Sequence, residues 1–186
     1  SSPDIPAGGT IPQEFEFNSF GCTGRNESPT LCWSGTPAGT QSLALTVYDP
    51  DAPSGSGWWH WMVIDLPANT TRLQPNAGTA GSTTLPTGAR QIRNDYGSFA
   101  WGGVCPPPGD KPHRYVFTVH ALSVPKLDVP DDATAALIRG SARHVALYDI
   151  APEKTEAEVL ILAVTNASPE LITDLGERTK ALGIKL

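Results

Sequence analysis

Charge is scarce in this 186-residue chain: 17% of its residues are Asp, Glu, Lys or Arg, against ~25% in ordinary soluble domains. What charge there is leans acidic, with a net of -6 and a pI of about 5.1. No cluster of Lys and Arg occurs, which removes the electrostatic basis for non-specific nucleic-acid binding and for attraction to an anionic membrane. Long apolar runs are lacking too. The longest, Val159–Val164, is far short of the roughly 20 residues needed to span a bilayer. No HExxH or His-x-x-His spacing points to a zinc enzyme, and no G-x-S-x-G elbow points to a serine hydrolase. The three cysteines, Cys22, Cys32 and Cys105, match no zinc pattern. They allow one disulfide and a spare thiol in an exported protein, or three buried thiols in a cytosolic one. The chain begins at Ser1 rather than Met, as a processed or trimmed product would, with no leader left to read.

In excess are glycine and proline, 18 of each. Both break helix and strand interiors, so long helices and coiled coils are excluded. Apolar residues make up 39% of the chain and include five Trp, enough for a core. One domain over residues 1–186 is expected at this length. These features predict a mainly β, loop-rich fold.

Three segments carry the two-residue period of strands. Residues 43–49 (LALTVYD) place Leu43, Leu45, Val47 and Asp49 on one face. Residues 59–66 (WHWMVIDL) place His60, Met62 and Ile64 on one face, opposite Trp59, Trp61 and Val63. In Arg114–Leu122 (RYVFTVHAL), Tyr115, Phe117 and Val119 align, and His113 continues that face. Residues 158–164 (EVLILAV) read as a buried strand. Asp131 or Asp132 is a candidate cap for a helix running to Leu147, weakened by Gly140. Ser168-Pro169-Glu170 opens a second helix ending at Gly183, with Leu171, Leu175 and Leu182 on one face.

If the three strands share a sheet, Asp49, His60, His113 and Tyr115 gather at one end of an apolar core, beside loops rich in Gly and Pro. Pockets are apolar concavities with a few convergent polar groups. A carboxylate beside a histidine favours the imidazolium. Imidazolium, phenol and loop amides together suit a small oxyanion such as phosphate. Asp49 would orient a histidine or take the ammonium of a zwitterionic headgroup, and tryptophans beside His60 would add cation–π attraction. His120 falls on the other strand face, as a surface or second-layer residue. His144 is expected to be solvated, and Asp95 to form a turn.

The chain resembles the phosphatidylethanolamine-binding protein family, also called the Raf kinase inhibitor family, in its bacterial form. The resemblance rests on DPDAP at 49–53, PSGSGWWHW at 53–61, RNDYG at 93–97 and CPPPGDKPHRYVFTVHAL at 105–122, with FGCTGRNESPTLCWSGTPAGT at 20–40. It covers residues 1–147, and 148–186 diverge as a C-terminal strand and helix. It implies an antiparallel β-sandwich with a few peripheral helices, the extra C-terminal helix among them. It also implies an anion pocket formed by Asp49, Asp51, His60, Pro107, His113 and Tyr115, and a Cys22–Cys105 disulfide with Cys32 free.

The function expected from residues and resemblance together is a non-enzymatic binding protein without cofactor. Its ligand would be phosphate or a phosphorylated headgroup such as phosphoethanolamine, and its protein partner a kinase or protease. A secreted or periplasmic location fits best, with the cytoplasm as the alternative, and the state is monomer or homodimer. The rival reading is a zinc-dependent hydrolase built on the same His/Asp cluster.

Overall fold

The computed structural model describes residues 1–6, 8–145 and 159–164, the last as backbone alone. The three expected strands form with their boundaries within a residue or so: β2 is Ser42–Asp49, β3 is Trp58–Pro67 and β6 is Arg114–Leu122. Each is rich in β-branched and aromatic residues and stops at a Gly/Pro turn. Three shorter strands had no periodic signal, being only two or three residues long: β1 (Leu31–Cys32), β4 (Arg72–Leu73) and β5 (Arg90–Ile92). The C-terminal strand β7 spans Val159–Val164. The helix read at Ser168–Gly183 lies outside the described residues.

The strands make a five-stranded antiparallel sheet in the order β5-β3-β2-β6-β7, and a separate β1-β4 pair. One face of the large sheet carries Leu43, Leu45, Val47, Trp61, Tyr115 and Phe117, packed under the N-terminal segment, the β1-β4 pair and Trp101. The other face carries Ala44, Met62 and Ile64 and packs against the helix α1 (Ala135–His144). His120 lies on this second layer, buried, with its Nε2 3.3 Å from Thr46 Oγ1.

The helix starts later than the acidic pair suggested. Thr134 caps it, its side chain accepting a hydrogen bond from the Leu137 amide, because Pro130 first closes a turn with Ala133. Asp131 is used elsewhere, at 2.8 Å from the Arg90 guanidinium. Gly140 sits inside the helix with open space around it. Arg139 ties α1 to the sheet, its guanidinium 5.9 Å and 5.8 Å from the Tyr48 and Trp59 ring centroids, within cation–π range.

Two irregularities in the β2-β3 ladder decide what faces what. Val47 pairs with Trp61 and Tyr48 with Trp59, so His60 has no partner on β2. This is a β-bulge, in which two residues of one strand oppose one of the other and the alternation of side chains is reset. Trp61 therefore packs in the first layer and Trp59 in the second, although the plain period had put them together. A second shift falls between Leu43 and Leu45, opposite Asp65. That residue has φ 58° and is held by the Leu127 amide and the Arg90 guanidinium.

Candidate functional site

At the end of the sheet where β2 finishes and β6 starts lies a cavity of about 370 Å³, walled among others by Asp49, Pro53, Trp58, His60, Tyr96, Pro107 and His113. Asp49 is its organising residue. Its Oδ1 accepts hydrogen bonds from the amides of Asp51 (2.8 Å) and Ala52 (3.1 Å), folding the DPDAP turn back on itself. Its Oδ2 lies 2.8 Å from His113 Nδ1, and both side chains are buried. His113 Nε2 is in turn 3.3 Å from Oδ2 of Asp110. A carboxylate oxygen only accepts, so in each contact it is the facing ring nitrogen that can donate.

His60 is built differently. The bulge turns it to the first-layer side, where its ring stands edge-on to Tyr115 at 5.1 Å and to Tyr96 at 5.6 Å. Nδ1 lies 2.8 Å from the Gly102 carbonyl and 3.1 Å from that of Gly103. Two carbonyl acceptors fix the proton on Nδ1 and leave Nε2 a bare acceptor. Nε2 is buried and meets no hydrogen-bond partner among the described residues. Burial pushes the His60 pKa below the usual imidazole range, outweighing the pull of the Gly102 carbonyl and of Asp49. The His60 ring is thus a neutral imidazole. Glycine is required behind it: a Cβ on Gly103 would run into the backbone at Phe15 and Phe17, and one on Gly102 into the Tyr96 ring.

A folded pKa below the unfolded one means that acid favours the unfolded chain. The His60 contribution to stability is complete above about pH 6.5 and shrinks as the pH falls below it. We expect the urea midpoint of the wild type to fall from about pH 7 to about pH 5 more steeply than that of His60→Gln, whose amide does not titrate. Parallel pH profiles for the two proteins would contradict the neutral assignment.

The remaining expected site residues divide. Pro107 lines the cavity. Tyr115 stands behind His60, fully buried, its hydroxyl without a well-formed hydrogen bond among the described residues. Burial and the charge of Asp49 hold its pKa well above the usual phenol range. Asp51 is turned away to Arg114, taking the backbone amide and the guanidinium at 2.6 Å to 2.8 Å. That ion pair holds its carboxyl below the ordinary range. Asp95 supports β3 by accepting the Trp59 amide at 2.8 Å.

Sequence reasoning missed the aromatic rim. Tyr96 stacks on Phe17 at 3.9 Å and meets Trp58 at 5.2 Å and Phe20 at 5.6 Å. Phe20 remains 73% exposed. The available signal was position: Tyr96 follows the RND turn, and Trp58 directly precedes the WHW segment. The rim is fastened by the Cys22–Cys105 disulfide, whose Cα atoms are 6.0 Å apart, while Cys32 is a free thiol.

A two-layered antiparallel sheet with a small, largely apolar cavity at one end defines a β-sandwich binding protein. Comparison with known sequences and structures places it more closely. A sequence profile described as phosphatidylethanolamine-binding protein matches residues 1–148, and the chain belongs to that family, whose members are generally binding proteins. Protein YbcL of Escherichia coli is 49% identical over 154 residues, covering 82% of this chain and 84% of the relative. LppC of Mycobacterium tuberculosis, which bears the name of a lipoprotein, is 35% identical over 80% of this chain and 71% of its own length. Among solved structures, E. coli YbcL, titled a new member of the mammalian PEBP family, superposes with a TM-score of 0.81 at 45% identity, covering 90% of this chain and 97% of the other. The phosphatidylethanolamine-binding protein homolog CT736 of Chlamydia trachomatis gives 0.68 at 26% identity, covering 90% of this chain and 96% of the other.

Proposed function

We propose that this chain is a non-enzymatic binding protein whose cavity holds phosphate or a phosphorylated headgroup of the phosphoethanolamine kind. The observation that carries the reading is the cavity wall. Asp49, His60 and His113 converge on an otherwise apolar and aromatic concavity, the composition expected of a small-ligand site. His113 supplies the cationic ring, and the aromatic rim of Trp58 and Tyr96 suits an alkylammonium group by cation–π attraction. The reading extends to a protein partner, a kinase or protease, meeting the loops around the mouth where Phe20 stands exposed. A secreted or periplasmic location is supported by the disulfide, since oxidising compartments preserve such bonds, and by the lipoprotein name of one relative.

The test is a titration with phosphoethanolamine followed through the histidine ring signals in NMR. We expect saturable shifts at His60 and His113; their absence at millimolar ligand would sink the reading. The zinc-hydrolase alternative draws no support from the geometry. Among the described residues no three His, Cys, Asp or Glu side chains are grouped to hold a metal ion.

A further inference from the structure

We propose that the Cys22–Cys105 disulfide is a reducible latch: a dithiol opens it in the folded protein, and the turn carrying Phe20 then lifts away from the cavity mouth. The latch governs the entrance, whatever the cavity binds.

The bond stands at that entrance and within reach of a reductant. Phe20 and Cys105 both line the cavity, and both cysteines are only half-buried. Thiol–disulfide exchange needs a thiolate to reach a sulfur, which a bond inside the core does not allow. The two ends are anchored unequally. Cys105 follows the buried Val104, which bridges to Glu16 and whose carbonyl accepts the Phe17 amide at 3.0 Å. That is the fixed post. Cys22 belongs to an excursion closed at its base by the Gly24 amide, which donates to the Phe17 carbonyl at 3.0 Å. Above that base, residues 18–21 and 23 are exposed. Three kinds of tie hold the excursion to the rest of the fold among the described residues. They are the disulfide, the ring contacts of Phe20 with Phe17 and Tyr96 at 5.9 Å and 5.6 Å, and a 3.4 Å hydrogen bond from Gln13 to Thr23. Cutting the disulfide leaves the weak ones.

The excursion also holds a conformation that its sequence disfavours. The Cys22 amide donates to the Ser19 carbonyl at 3.0 Å, and the two residues between, Phe20 and Gly21, have φ 57° and 88°. Two successive positive φ values mark a type I′ turn, which favours Asn-Gly. Gly21 meets that demand freely. Phe20 does not, because a bulky side chain is strained in the left-handed region and stays there only where the surroundings impose it. Its ring contacts restrain it weakly, since 73% of the residue remains exposed. The bond from Cys22 to Cys105 is the covalent restraint, two residues on. Exposed or strained disulfides are the more readily reduced ones.

The exchange balances without any other reagent. One thiolate of the dithiol attacks a cysteine sulfur, forming a mixed disulfide and releasing the other cysteine as a thiolate. The second sulfur of the dithiol then displaces the remaining cysteine. The dithiol ends as its own disulfide, and two electrons and two protons pass to Cys22 and Cys105.

The test treats the intact wild type with dithiothreitol at urea concentrations below the unfolding transition and counts the thiols gained beyond Cys32. Reduction from the folded state should proceed in proportion to dithiothreitol, its rate changing less than about twofold with urea. A bond reached only through global unfolding would be reduced at rates that climb exponentially with urea, and that result would overturn the proposal. In the reduced protein without denaturant, the Cys22 amide should exchange its hydrogen at least about tenfold faster, with β2, β3 and β6 still protected. Acrylamide should quench Trp58 more strongly than before, because Trp58 is half-buried at the mouth and the other four tryptophans are buried. Unchanged exchange at Cys22, unchanged quenching, or protection lost across the sheet would each count against a latch. Phe20→Asn supplies the Asn-Gly pair that the turn prefers. It should shift the equilibrium with dithiothreitol at least about threefold toward the disulfide. No shift, or one toward the thiols, would overturn the part assigned to the strained turn.

Discussion

Replacing Cys22 and Cys105 by serine is expected to lower the unfolding free energy by about 4.5 kcal/mol. The bond links residues 83 positions apart, and chain-entropy loss in the unfolded state grows with the logarithm of the closed loop. That amount is a large share of the ~5–15 kcal/mol that stabilises a typical domain. The bond also fastens the Phe20 loop to the 105–109 turn, two sides of the cavity mouth. Urea unfolding of wild type and double variant, both without reductant, measures the difference, and thiol titration of the unfolded wild type should find Cys32 alone reactive. A loss below about 1 kcal/mol would show that the cross-link does not restrain the unfolded chain as this loop length requires.

Asp49→Ala should be nearly as damaging, at about 3–5 kcal/mol. Removing the carboxylate strands a buried His113 ring and two turn amides, those of Asp51 and Ala52, at one stroke. Asp49→Asn is expected to fall in between, because its carbonyl oxygen still accepts the two amides while its N–H₂ faces the imidazole. The ordering wild type, Asn, Ala in urea midpoints checks the assignment. If Ala were as stable as Asn, the turn amides would not depend on this side chain.

Much of the scaffold was legible in the sequence. Period-two alternation located β2, β3 and β6 because they are long and half-buried on a defined face. Strands β1, β4 and β5 escaped because two or three residues carry no period. The helix cap, read at Asp131 or Asp132, was misplaced by two or three residues, and Asp131 answers to Arg90 across the fold. The convergence of Asp49, His113 and Tyr115 followed from simple alternation. His60 was gathered with them by its place at the start of its strand, although strict alternation sends it to the layer of Met62 and Ile64; the bulge, which no local pattern reveals, turns it to the cavity. Asp51, beside Asp49 in the same motif, is held by a partner 63 residues away, a contact no local pattern reveals. The charge state of His60 was not legible for a related reason. Sequence shows a nearby carboxylate, but not that the ring is buried against two backbone carbonyls.

The bulge at His60 makes strand length, rather than residue identity, the determinant of the site. Deleting Trp59 would restore plain alternation and deliver the imidazole to the helix side of the sheet with the histidine itself still present. A relative aligned with a single gap in this stretch would therefore keep the fold's sequence signature while having lost the acceptor from its cavity. For sorting members of the family by what they can hold, the count of residues in this strand is as informative as the histidine itself.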